Sequence, residues 1–296
     1  WVNSPWRKEK ERLNKFEVRL GARLIQRLNE TTAVAEEALV ASGYAREPTS
    51  WWANMGHSGQ VLAEIELLRK QVFGMDPQVT TACEIGMNAG HAAVALLEGT
   101  QSQLVEFDLL ALPYSNASRQ ALELAYPGRV RFFPGKSQIQ VPLYASMVRQ
   151  RQQPSCDLWF IDGDHMHGTM LDMRAALSAA SDGAIIIADD CSSKHKPVQE
   201  AWRRLVTDGH ISDSSNFSTY LSPPIGMKGW CWGRFRKSAE SVGRLELNDR
   251  DLRFASSLRV DPVSSFGWRR INGIGRALSG RFHTQTSHEA TVPLRA

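Results

Sequence analysis

Four acidic segments, each closing a short apolar run, carry the chemistry that can be read in this chain. They are Glu84 within Cys83-Glu84-Ile85-Gly86-Met87-Asn88-Ala89-Gly90-His91, then Glu106-Phe107-Asp108, Asp162-Gly163-Asp164-His165 and Asp189-Asp190. A glycine where a parallel strand turns into a helix lets the backbone approach a ligand that a Cβ would push away. Open α/β sheets bind ligands at the carboxyl ends of such strands. Glu106 and Asp108 stand roughly twenty residues beyond Gly86, where a dinucleotide-type fold sets a carboxylate on ribose hydroxyls. The spacing Gly86-x-x-x-Gly90 departs from the G-x-G-x-x-G phosphate fingerprint, and Glu84 would repel a pyrophosphate. An adenosine ligand without phosphates is therefore expected.

If the strands ending at Asp162 and Asp189 are neighbours, their ends lie about 5 Å apart and Asp162, Asp189 and Asp190 converge. Three carboxylates in one dry pocket need a cation or retained protons. All-oxygen ligation selects Mg²⁺, Mn²⁺ or Ca²⁺, with Mg²⁺ the first expectation. The competing reading makes Asp189 a helix cap and Asp162 a turn acceptor. His165 and His167 follow the first of these strand ends, Lys194 and His195 the second, as candidate bases or as surface residues. Trp51, Trp52, Asn54 and His57 precede the core, either as an aromatic lid or packed on the domain's own surface.

The elements that must position these residues alternate. Apolar runs predict strands at 81–85, 104–108, 130–133, 158–162, 184–189 and 230–235. Between them helical patterns cover 91–97, 115–126, a segment around 143–150, 169–180 and 197–207. Continuous apolar runs such as Ile185-Ile186-Ile187 suit strands buried on both faces, as in a mainly parallel sheet between helix layers. Leu13, Phe16, Leu20, Leu24 and Leu28 recur at helical steps, and Thr31/Thr32 is expected to cap a following helix, 33–41. A further helix is expected over 60–73.

Hydrophobic residues make up 42% of the 296 and charged residues 22%, enough apolar content for a sizeable core. No apolar run reaches the roughly 18 residues of a membrane span. The chain begins at Trp1, so a targeting segment upstream is not tested by it; a cytoplasmic location is the expectation. From Arg236 onward there are 11 Lys/Arg against 6 Asp/Glu, a basic but scattered tail read as a solvated extension. No nucleic-acid partner is expected. The four cysteines Cys83, Cys156, Cys191 and Cys231 are far apart without ligand spacing, and buried reduced thiols are expected. The organisation expected is an N-terminal helical segment (1–50), a core domain (51–235) and a partly disordered extension (236–296).

Taken in order, Glu84 to His91, Phe107-Asp108, Phe160-Ile161-Asp162-Gly163-Asp164-His165 and Ala188-Asp189-Asp190 resemble class I S-adenosylmethionine-dependent methyltransferases. The branch they resemble is the metal-assisted small-molecule O-methyltransferases of the catechol, caffeoyl-CoA and macrocin types, over roughly residues 51–235. The resemblance implies a doubly wound, mostly parallel seven-stranded sheet whose last strand is antiparallel. It implies that Glu84, Gly86 and Gly90, with Asn88 and His91 of the same loop, line the methionine and ribose portion of the cofactor. Asp108 would hold the ribose hydroxyls, with Glu106 in reserve. Asp164 would lie near the cofactor, and Asp162, Asp189 and Asp190 would hold the metal. Many relatives carry Gly-Asp-Ser after the third strand, whereas this chain has Gly135-Lys136-Ser137, leaving the adenine contact to Ser137 or a backbone carbonyl. The activity implied is metal-assisted methyl transfer to a small hydroxylated acceptor, the metal held by Asp162 and its neighbours binding that hydroxyl; Asp162 and His165 are the catalytic expectations, with His167, Lys194 and His195 as other candidates for the base. A homodimer through the N-terminal helix is the partner expectation. Two rivals stand beside it: a nicotinamide-dependent oxidoreductase on a related sheet, and a cofactor-binding module without turnover.

Overall fold

The structure is a computed structural model that describes residues 21–43, 62–75, 79–165, 168–191, 196–220 and 227–237. All lie in the first of two units into which the chain divides, Trp1–Arg259. The expected lid residues 51, 52, 54 and 57, the candidate bases 167, 194 and 195, and the extension beyond 237 lie outside the described residues.

The described chain opens with α1 (Ala22–Ala41) and α2 (Leu62–Met75). Strand and helix then alternate as β1 (Thr81–Ile85), α3 (His91–Leu97), β2 (Gln103–Asp108), α4 (Ser115–Ala125), β3 (Val130–Pro134), α5 (Ser137–Arg149), β4 (Cys156–Ile161), α6 (Thr169–Ala179), β5 (Ala180–Ala188) and α7 (Lys196–Thr207), before β6 (Ile211–Tyr220) and β7 (Met227–Phe235). The seven strands form one sheet in the order β3-β2-β1-β4-β5-β7-β6. The first five pair in parallel, and β7 runs antiparallel to both β5 and β6. This is the expected doubly wound sheet. Its strand order reverses between β1 and β4, which opens a crevice at their carboxyl ends.

Period-two alternation divides the core into two layers. Cys83, Ile85, Val105, Phe107, Trp159 and Ile186 pack on one face with α5, α6 and α7. Ala82, Leu104, Phe160, Ile185 and Ile187 pack on the other with α1, α2 and α3.

Three local expectations are corrected. α1 runs unbroken through Thr31 and Thr32, whose hydroxyls donate back to the carbonyls of Arg27 (2.8 Å) and Leu28 (3.1 Å) instead of capping a second helix. α5 starts six residues earlier than its apolar pattern predicts and continues through Pro142. β6 was not foreseen at all. Its sequence ISDSSNFSTY is polar, and it is an edge strand supported by β7 alone, with a register shift between Ser212 and Ser215.

The cysteine expectation is also overturned. Cys83–Cys156 and Cys191–Cys231 are disulfides, with Cα–Cα distances of 5.9 and 5.5 Å and no free cysteine among the four. The partners are 73 and 40 residues apart in the chain, so only the pairing of β1 with β4 and of β5 with β7 brings them within bridging range.

α1 packs on its own domain. Arg23 Nε lies 2.7 Å from Glu98 Oε1, just past α3, and the Tyr126 hydroxyl donates to Glu98 Oε2 at 3.0 Å. Val34, Ala35, Ala38 and Leu39 form a small apolar cluster with Ala89 and Tyr114, against the loop between β1 and α3.

Candidate active site

The turn after β1 is built by close approach. Gly86 has φ +92°, and a Cβ there would stand 2.1 Å from the carbonyl oxygen of Asp162. Gly90 has φ +93°, and a Cβ there would reach 2.8 Å from Leu122 Cδ1 of α4. Both glycines thus answer to neighbouring protein, and the space so saved lets the β1 and β4 loops meet at the crevice. The Asp162 amide, donating to the Ile85 carbonyl at 2.8 Å, seals that junction.

Asp108, at the end of β2, faces this turn. Its Oδ2 accepts the Met87 amide at 2.9 Å and its Oδ1 the Leu110 amide at 2.6 Å. Burial raises its pKa, opposed in part by these bonds and one from the Asn88 backbone. Asn88 takes a left-handed turn conformation, φ 53°, and its Oδ1 accepts the hydroxyl of buried Tyr114 at 2.5 Å. Nothing in the sequence signals Tyr114, six residues after Asp108. Glu84 and Glu106 lie one layer deeper, in register on β1 and β2 and almost wholly buried. Glu106 sits beneath Asp108 and not at the crevice mouth, so the two do not occupy interchangeable places.

Three expected cofactor residues are engaged with protein. His91 is buried beneath α1, with Nε2 2.9 Å from the Thr32 hydroxyl. Asp164 is exposed, and its Oδ2 accepts the Gly168 amide at 2.8 Å ahead of α6 while its carbonyl accepts the Thr169 hydroxyl. Ser137, at the edge of burial, opens α5 beside Gln138, whose Nε2 donates to Asp172 Oδ1 at 3.0 Å. Burial pushes fully buried Asp172 up to about 7, against hydrogen bonds from Ser137 and Gln138. Gln138, the next residue after Ser137, carries no signal in the sequence for this contact.

The carboxylates beyond β4 and β5 do approach one another, around a histidine. The ring of His165 has Nε2 3.4 Å from Asp162 Oδ1 and Nδ1 3.7 Å from Asp190 Oδ2. Asp189 Oδ1 accepts the indole N–H of buried Trp230 on β7. Trp230 reads in the sequence as a strand residue; its place as a carboxylate partner depends on β7 lying beside β5. Among the described residues no three Asp, Glu, His or Cys side chains converge as a metal set. An imidazole stands between two of the aspartates, and an indole donates to the third. What this arrangement offers is an imidazole flanked by two carboxylates at the ends of β4 and β5.

Residues 83–191 match the family described as a methyltransferase domain. An O-methyltransferase from Bacillus cereus, solved in complex with SAH, is similar in structure at TM-score 0.52 and 17% identity, over 69% of this chain and 91% of that one. The O-methyltransferase TomG from Streptomyces achromogenes, solved in complex with SAM, gives TM-score 0.50 and 16% identity over 70% and 90%. At such identities the likeness establishes the fold. No curated protein matches the chain.

Proposed function

We infer that this chain, which carries a methyltransferase domain on the class I methyltransferase fold, moves a methyl group from S-adenosylmethionine to a hydroxyl of a small acceptor. The observation that carries the reading is the crevice at the β1/β4 switch, with the Gly86 turn and Asp108 on one wall and His165 between Asp162 and Asp190 on the other. A sulfonium is a cation, and an acidic crevice favours it. Asp108 lies where a carboxylate can accept ribose hydroxyls once the ligand is seated. The similar B. cereus and S. achromogenes enzymes, solved with SAH and SAM, support that donor.

In the reaction an acceptor oxygen attacks the methyl carbon in line with the carbon–sulfur bond. That bond breaks with its electron pair going to sulfur, leaving a neutral thioether. The hydroxyl proton passes to the imidazole of His165. The imidazolium so formed stands between Asp162 and Asp190, whose charges stabilise it. Holding donor and acceptor in one crevice supplies the remainder through orientation.

The test is transfer of labelled methyl from S-adenosylmethionine across a panel of small hydroxylated acceptors. His165→Ala is expected to lower kcat by about 10²-fold or more with donor affinity little changed. Turnover that persists in EDTA supports the direct base. Loss in EDTA with recovery on Mg²⁺ would return the aspartates to a metal role and overturn it. Donor binding without turnover of any acceptor would favour a binding module, and binding of NAD in its place the oxidoreductase.

A further inference from the structure

We propose that Glu84 and Glu106 share one proton beneath the crevice, and that seating a sulfonium above them expels that proton to solvent. The proposal rests on the methyl-donor reading above and adds a proton to its binding step. Glu84 of β1 and Glu106 of β2 are register partners, so their side chains leave the same face of the sheet from adjacent strands. They are 1% and 0% exposed. Glu84 Oε2 and both oxygens of Glu106 find no hydrogen-bond partner among the described residues apart from each other. Two carboxyl groups in that setting cannot both ionise, and the pair titrates as a unit.

The surroundings do not neutralise the pair. Asp108, two residues after Glu106 on the same strand face, adds a third negative group on the crevice side. The cations of the elements packed on this face are engaged at their own sites. Arg23 and Arg27 of α1 approach Glu98, Arg69 of α2 donates to the carbonyls of Ala95 and Glu98, and Arg119 of α4 pairs with Glu123. Arg129, ahead of β3, donates to the carbonyls of Leu97 and Ser102. His91 of α3 meets Thr32, and Glu64 of α2 is a further buried acid. Burial, then mutual repulsion, raises Glu84, and burial pushes Glu106 up to about 8. The pair therefore carries its proton at neutral pH.

A cation arriving above Glu84 favours the doubly ionised form, and the proton leaves. The consequence is directional. Donor affinity should rise with pH, by up to roughly tenfold per unit, until the free pair itself gives up the shared proton, and then level. The thioether product is neutral at sulfur and gains less from the second charge, so rising pH favours donor over product.

Titration calorimetry of the whole chain in buffers of different ionisation enthalpy at pH 7 counts the protons. S-adenosylmethionine and S-adenosylhomocysteine carry the same amino acid group, so their difference isolates the sulfonium. The expected result is about half a proton or more released by the donor beyond the product, and a difference near zero in the double variant Glu84→Gln/Glu106→Gln, which keeps the shape without either titrating carboxyl. Equal release by both ligands in the unmodified protein, which needs no variant, would overturn the proposal, as would an undiminished difference in Glu84→Gln/Glu106→Gln. No binding of S-adenosylmethionine at all is a separate outcome, which removes the donor reading and this proposal with it.

Discussion

At Gly86 an alanine methyl would stand 2.1 Å from the Asp162 carbonyl, in a backbone conformation that L-residues rarely adopt. Gly86→Ala is expected to cost about 2 kcal/mol or more and to part the β1 and β4 loops, seen as a lower melting temperature with loss of donor binding. A variant that melts and binds as the parent does would show that the two loops are not in contact in solution. That glycines occur at 86 and 90 was legible in the sequence, but the reason was not. The chain suggested room for a ligand, whereas the nearest obstacles are Asp162 and Leu122. His165 and its two aspartates were likewise legible as strand-end residues. Their arrangement, with the imidazole between the acids, was not, because it follows from the side-by-side ends of β4 and β5.

Elements hold these residues through a few latches. Asp157 on β4 accepts the hydroxyl of Thr80 (2.7 Å), the amides of Thr80 (3.0 Å) and Thr81 (3.1 Å), and the Ser181 hydroxyl (2.9 Å), tying β4 to its neighbours on both sides. Asp157→Ala should lower stability by about 1–3 kcal/mol, read as a lower urea midpoint at unchanged m-value. An unaltered midpoint would count against the latch. On the other side, Trp230 of β7 holds Asp189 at the end of β5. Trp230→Phe keeps the ring but leaves a buried carboxylate short of a donor, so a loss of about 1–3 kcal/mol is expected in the same titration. Strands buried on both faces were readable as apolar runs, Trp159-Phe160-Ile161 and Ile185-Ile186-Ile187 above all. The edge strand β6 was not, since polar residues on a half-solvated edge carry no periodic signal and its pairing with β7 alone defines it.

For the whole molecule, buried acids set the response to pH. Glu106 is raised from 4.5 to about 8 and Asp172 from 3.8 to about 7, with Glu84 and Asp108 raised as well. The folded chain therefore binds more protons than the unfolded one between about pH 4 and 8, and its stability without ligand should fall as pH rises through that window. Melting temperatures rising from pH 5 to pH 8 would contradict this. The two disulfides staple β1 to β4 and β5 to β7, and they suit an oxidising compartment more than the cytoplasm. Intact mass measured with and without a thiol reductant should differ by four hydrogens, and reduction should lower the melting temperature. An unchanged mass would restore the reduced thiols expected from spacing. No helix among the described residues is long and apolar enough to cross a membrane.

The alternation of β1 to β5 with their helices, and the carboxylates at those strand ends, is legible along the chain, because apolar periodicity and turn residues are local and survive in one dimension. Tertiary structure alone decided the company each group keeps: Glu84 with Glu106, His165 between Asp162 and Asp190, Asp189 on Trp230, and four cysteines in two pairs. Those meetings depend on sheet register and on strand neighbours tens of residues apart, and electrostatic and covalent partnership is a matter of distances of a few ångströms in space.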